Sequence, residues 1–88
     1  MGETKRTPEA KGWHLGWDDA ARFVRGTRHD RRAIRRQLRK SAESYTPFWL
    51  GYRRCLLQRL EDFAAAIVDG RVPRTCRPSL IYKVVNHE

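Results

Sequence analysis

Residues 22 to 40 read RFVRGTRHDRRAIRRQLRK and hold eight arginines and one lysine against a single acid, Asp30. The chemistry open to such a segment is anion recognition. A guanidinium offers phosphate two parallel hydrogen bonds and stacks on base planes, whereas an ammonium acts as a point charge. Written on a helix, Arg28, Arg32, Arg35 and Arg39 form one row; Arg36 and Lys40 flank it, and Arg31 lies toward the narrow apolar side. Like charges at this spacing weaken an isolated helix by about 0.2–0.5 kcal/mol per pair. An ordinary solvated helix would mix signs, so this row is best explained if phosphates neutralise it. Arg22, Arg25 and the basic residues of the N-terminus stand in support.

No other set of residues makes a chemical site. His14, His29 and His87 are scattered, and Cys55 and Cys76 share no C-x-x-C or histidine pairing. Cys76 stands between Arg74 and Arg77, cations that would favour its thiolate, but no general base can be paired with it. Asp18-Asp19 suits the first turn of a helix, and Glu61-Asp62 suits local pairing with Arg54, Gln58 or Arg59. There is no glycine loop to cradle a nucleotide. The reading is a non-catalytic chain that needs no cofactor and no metal, with free thiols.

The balance of the whole chain agrees. Its 88 residues carry a formal charge of +9, with arginine supplying 15 of 19 basic residues. Such an excess favours nucleic acid, an acidic protein face or an anionic membrane. The membrane ranks last, because the basic helix lacks the wide apolar face that enters lipid. No stretch is long and apolar enough to span a bilayer, and the N-terminus shows no export signal, so a cytoplasmic protein is expected. Among nucleic acids RNA is preferred to DNA: the basic helix precedes the turn and the next helix is long and apolar, unlike a compact major-groove reader. The second reading is a small phage- or plasmid-type accessory protein whose arginines dock on an acidic host protein.

These arginines need elements to hold them, and the pattern predicts a mainly α fold: a small helical hairpin or three-helix domain. Residues 1–11 are expected to be a flexible basic arm. A helical domain follows over 12–70, with helices at about 17–25, 28–43 and 47–69. Trp17, Ala20, Ala21 and Val24 mark one face of the first helix. Gly26 weakens it, and Thr27-Arg28-His29-Asp30 reads as a capping box that starts the second, the alternative being one continuous helix through Gly26. Thr46 as cap, Pro47 at the first position and Gly70 past the end frame the third. Its stripe is Trp49, Tyr52, Leu56, Leu60, Phe63 and Ile67, widened by Leu57, Ala64 and Val68. Residues 71–88 read as a Pro/Arg loop and a short strand-like tail, SLIYKVV, that packs across the helices or pairs in a dimer. The second helix offers only Ala33, Ile34 and Leu38 as apolar cover, which tilts the expectation toward a homodimer.

Twin segments flank the basic stretch. Trp13-His14-Leu15-Gly16-Trp17 and Phe48-Trp49-Leu50-Gly51-Tyr52 share the order aromatic, any residue, leucine, glycine, aromatic. Either the aromatics are exposed and stack on bases, or the glycines allow two segments to approach while the aromatics fill the contact. Periodicity puts Trp17, Trp49 and Tyr52 in the core and leaves Trp13 as the candidate for nucleic-acid contact. Gly12 to Gly16 and Trp49 to Arg53 resemble the paired aromatic-glycine motifs of ribosome modulation factor, a small basic two-helix family that binds ribosomes. The separation here is longer and the cysteine-proline element between the motifs is missing. The resemblance implies a ribosomal partner among RNAs.

Overall fold

The computed structural model describes residues 7–73 and 76–87, apart from the His87 side chain. They form four α-helices: α1 (Pro8–Arg25), α2 (Arg28–Ala42), α3 (Pro47–Val68) and α4 (Pro78–His87), with no strand among the described residues. The mainly helical expectation holds, and a fourth helix is added to the three.

The first helix starts nine residues before its predicted position. Thr7 caps it, its hydroxyl accepting from the Ala10 N–H at 3.2 Å, with Pro8 in the first turn and Glu9 the acid there. Residues 8–11 are therefore helical rather than part of a free arm; residues 1–6 lie outside the described set. Gly12 and Gly16 hid the helix because glycine costs about 0.8–1.0 kcal/mol relative to alanine in a helix interior. The structure shows what offsets that cost. A methyl group on Gly16 would fall 2.6 Å from the Tyr52 carbonyl oxygen, and one on Gly51 would fall 2.5 Å from that of Glu9. One on Gly12 would collide with the Phe48 carbonyl. The glycines of the twin segments thus form the seam along which α1 and α3 meet, and this is the principal interface of the fold.

The seam sets which side of α1 faces inward. Gly12, Gly16, Asp19, Ala20, Phe23 and Val24 are buried, whereas Trp17 is 47% exposed, contrary to its predicted place in the core. It lies one position past the glycine row, about 100° around the helix, on the flank of the seam. There the Arg59 guanidinium stacks 3.7 Å from its ring centroid and 4.9 Å from that of Phe63. Asp18 and Asp19, predicted for a helix start, are mid-helical. Asp19 is buried, accepting from the Tyr52 hydroxyl at 2.8 Å and the Gln37 amide at 3.0 Å, with Arg22 at 3.5 Å. One carboxylate therefore ties α1, α2 and α3 together.

The other boundaries follow the sequence signals closely. Thr27 and Asp30 exchange the two hydrogen bonds of a capping box, and the chain breaks at Gly26. The α3 helix ends at Val68, two residues before Gly70, where φ is +74°. The Gly70 N–H donates to Ile67 at 3.1 Å and the Arg71 N–H to Ala66 at 2.9 Å, a Schellman closure that needs the left-handed residue. Tyr52, Leu56, Leu60, Ala64 and Ile67 of α3 are buried; Trp49, Leu57 and Phe63 are half-buried, and Val68 is exposed.

The predicted C-terminal strand is a helix. A lone strand would leave its backbone groups without partners, while α4 satisfies them internally and turns Ile81 and Val84 into the core. Pro78 suits its first turn. The α2 helix joins the core through Ile34 and Leu38, contacting α1 and α3. The stripe of α3 that prompted the homodimer expectation is covered within one chain by α1, α2 and α4.

Candidate nucleic-acid interface

Both α2 and α4 contact α3, and between them runs an open groove of about 650 Å³. One side is lined by Arg28, Arg31, Arg32, Arg35 and Arg39 of α2. The other is lined by Cys76, Arg77, Ser79, Leu80 and Lys83, and the almost wholly buried Phe23 of α1 lies at its base. Among the described lining residues seven side chains are cationic and none is a carboxylate.

Local sequence explains how the cations come to share this face. Ile34 and Leu38 turn inward, so residues one helical step away, Arg28, Arg32, Arg35 and Arg39, turn outward together. Thr27 and Asp30 fix where α2 starts and hence its rotation. Arg31 is half-buried and donates to the Gly26 carbonyl at 3.2 Å, which anchors its stem across the start of the helix. The helical pattern places it toward the apolar side, yet it lines the groove.

The predicted residues divide into two groups. Arg28, Arg32, Arg35 and Arg39 are brought together in the groove. Arg36 and Lys40 are exposed on α2 outside its lining, and Arg25 is exposed at the end of α1. Arg22 bridges two carboxylates, Asp19 at 3.5 Å and Asp30 at 3.4 Å, and so links α1 to the start of α2. Trp13 is 43% exposed on α1, as predicted, but it does not line the groove.

The opposing wall escaped the sequence reading. Arg77, Ser79 and Lys83 belong to a segment read as loop and strand. The available signal was the three-residue step through Arg77, Leu80 and Lys83, which gathers them on one side of a helix while Ile81 and Val84 face the core.

Burial pushes the Cys76 thiol up, outweighing the opposite pull of Arg31. Burial raises Cys55 as well, and both cysteines are free. Among the described residues no cluster of His, Cys, Asp and Glu could hold a metal ion, and no helix is long and apolar enough to cross a membrane. Comparisons with protein families, curated proteins and solved structures return no match. The aromatic-glycine segments that resemble ribosome modulation factor serve here as the α1–α3 seam.

Proposed function

We propose that this chain is a non-catalytic, cytoplasmic nucleic-acid-binding protein that takes RNA in preference to DNA, ribosomal RNA included, through the arginine face of α2. The observation that carries the reading is the groove: seven cations along one concave surface, with no carboxylate among the described residues that line it. Outside the groove, Arg22 pairs with Asp19 and Asp30, and Arg71 with Asp69. Six of the seven groove cations are arginines, suited to two-point phosphate contact.

The test is polynucleotide binding by protein stripped of nucleic acid, followed by fluorescence anisotropy across a salt series. Phosphate recognition requires log affinity to fall linearly with log salt, by about 0.7 per neutralised phosphate on a single strand and about 0.9 on a duplex. Arg32→Glu with Arg35→Glu is expected to remove binding while the helical circular dichroism is retained. Absence of wild-type binding to RNA and DNA at about 50 mM salt, where such contacts are strong, refutes the proposal.

A further inference from the structure

Resting on the nucleic-acid reading, we propose that the groove between α2 and α4 is a track for one RNA strand, with Arg77, Ser79 and Lys83 as its second wall. Three features of the groove point to a strand rather than a duplex.

The first is its shape. A duplex presents its phosphates on a convex cylinder, which a single basic helix can touch from one side. Here cations stand on both sides of a concavity, α2 across from Arg77 and Lys83. Two opposed walls can neutralise one chain of phosphates that lies between them.

The second is its length. Arg28 and Arg39 are eleven residues apart on α2, a run of about 16 Å at 1.5 Å per residue. That is four to five steps, and so about five or six phosphates, at the roughly 3.4 Å rise per nucleotide of a stacked strand. The groove is thus the size of a short single-stranded site, within the roughly 4–16 nucleotides that single-strand grooves cover.

The third is its lining. Leu80 is 36% exposed at the groove, so an apolar side chain stands among the charges of the α4 wall. A strand can offer a ribose or base face to it, while paired bases keep theirs stacked inside the helix. Ser79 adds a hydroxyl that can donate to phosphate or accept from a ribose hydroxyl. The start of α4 lies at the same place, and its partial positive charge adds to that of Arg77.

Anisotropy with labelled oligo-uridine of about twelve nucleotides, and with an RNA duplex of equal length, tests the proposal. Arg77→Glu with Lys83→Glu is expected to weaken oligo-uridine binding roughly tenfold or more, since two charge-assisted contacts are lost. The salt slope should fall by about 1.4, the share of two phosphates on a single strand. Arg77→Gln with Lys83→Gln should act in the same direction, and a retained helical spectrum shows that the fold is intact. Arg54→Glu with Arg71→Glu makes the same change in net charge at exposed positions outside the groove, and affinity should stay near that of wild type. Wild-type affinity in both α4 variants, alongside loss in Arg32→Glu/Arg35→Glu, overturns the second wall while leaving nucleic-acid binding in place. Tighter binding of the duplex than of oligo-uridine overturns the single-strand track. No binding of either RNA by the wild-type chain overturns the track and the preference for RNA, and no binding of DNA as well overturns the nucleic-acid reading.

Discussion

Replacing Gly16 with alanine tests whether the twin aromatic-glycine segments are a helix seam. The new methyl would sit 2.6 Å from the Tyr52 carbonyl oxygen, 3.0 Å from the Leu56 nitrogen and 3.1 Å from the Cys55 Cβ. The first two are backbone atoms of α3 and cannot rotate away. Restoring ordinary contact near 3.5 Å requires the helices to part locally by almost 1 Å, which forfeits roughly a quarter to a half of the dispersion energy across the gap. Overpacking of this kind costs about 1–3 kcal/mol, and backbone involvement puts it toward the upper end. Against that, alanine recovers about 0.8–1.0 kcal/mol of helix propensity. The net expectation is a destabilisation of about 1–2 kcal/mol, or a Tm lowered by roughly 5–15 °C in a domain of this size. Thermal and urea unfolding followed by circular dichroism measure it. Gly51→Ala, with its methyl 2.5 Å from the Glu9 carbonyl, should behave alike. The control is Gly70→Ala, where nothing lies within 4 Å and only the positive φ resists, so the loss there comes from backbone strain alone. A Tm for Gly16→Ala that is unchanged or raised would refute the close approach of α1 and α3, leaving propensity as the sole effect.

Other expectations rest on separate contacts. Tyr52→Phe leaves the buried Asp19 carboxylate short of a donor, and chemical denaturation should show a loss of about 1–3 kcal/mol. Burial, followed by the hydrogen bond to Asp19, raises the Tyr52 pKa well above the ordinary tyrosine range. Its contribution is therefore complete below that range and fades at higher pH. Ultraviolet titration should show Tyr52 ionising only as the fold is lost. The hydrogen bond from the Thr27 N–H is the main cause holding the Asp30 carboxyl below its usual range. That contribution is present above the ordinary aspartate pKa and lost as pH falls through the lowered value. The difference in helical signal between wild type and Asp30→Ala should accordingly vanish in acid. Burial keeps both thiols protonated, so native protein should react slowly with a thiol reagent at neutral pH, and unfolded protein should show two fast thiols.

Boundaries set by local chemistry were legible in the sequence. Thr27 with Asp30, Gly26, and Gly70 each act within a few residues, so their types and spacing suffice to place the ends of α2 and α3. The stripe of α3 was legible for the same reason. What escaped was decided between elements. Gly12 and Gly16 argue against a helix until α3 is present to make close approach worth more than their propensity cost. Asp19 read as a helix-start acid because its partners, Tyr52 and Gln37, lie 33 and 18 residues away. SLIYKVV suits a strand by composition, but no second strand exists among the described residues to receive it. The arginine row was visible at once, whereas the wall opposite it depended on recognising α4.

The placement of the glycines and of the charges belongs to one physical solution. An arginine-rich α2 brings few apolar side chains, essentially Ile34 and Leu38, so it cannot supply much of the core. The glycine seam compensates by bringing α1 and α3 close enough to bury Ala20, Tyr52 and Leu56 completely. The α2 helix is then attached by a small apolar contact, the Asp19–Gln37 bond and the Arg31 bond to the Gly26 carbonyl. Among the described residues Arg28, Arg32, Arg35 and Arg39 have no ion pair, so the cohesion of the fold draws on Arg31 alone of the α2 arginines in the groove. Their mutual repulsion is a standing cost that an anion in the groove would relieve. Binding should therefore stabilise the wall formed by α2 more than the seam behind it.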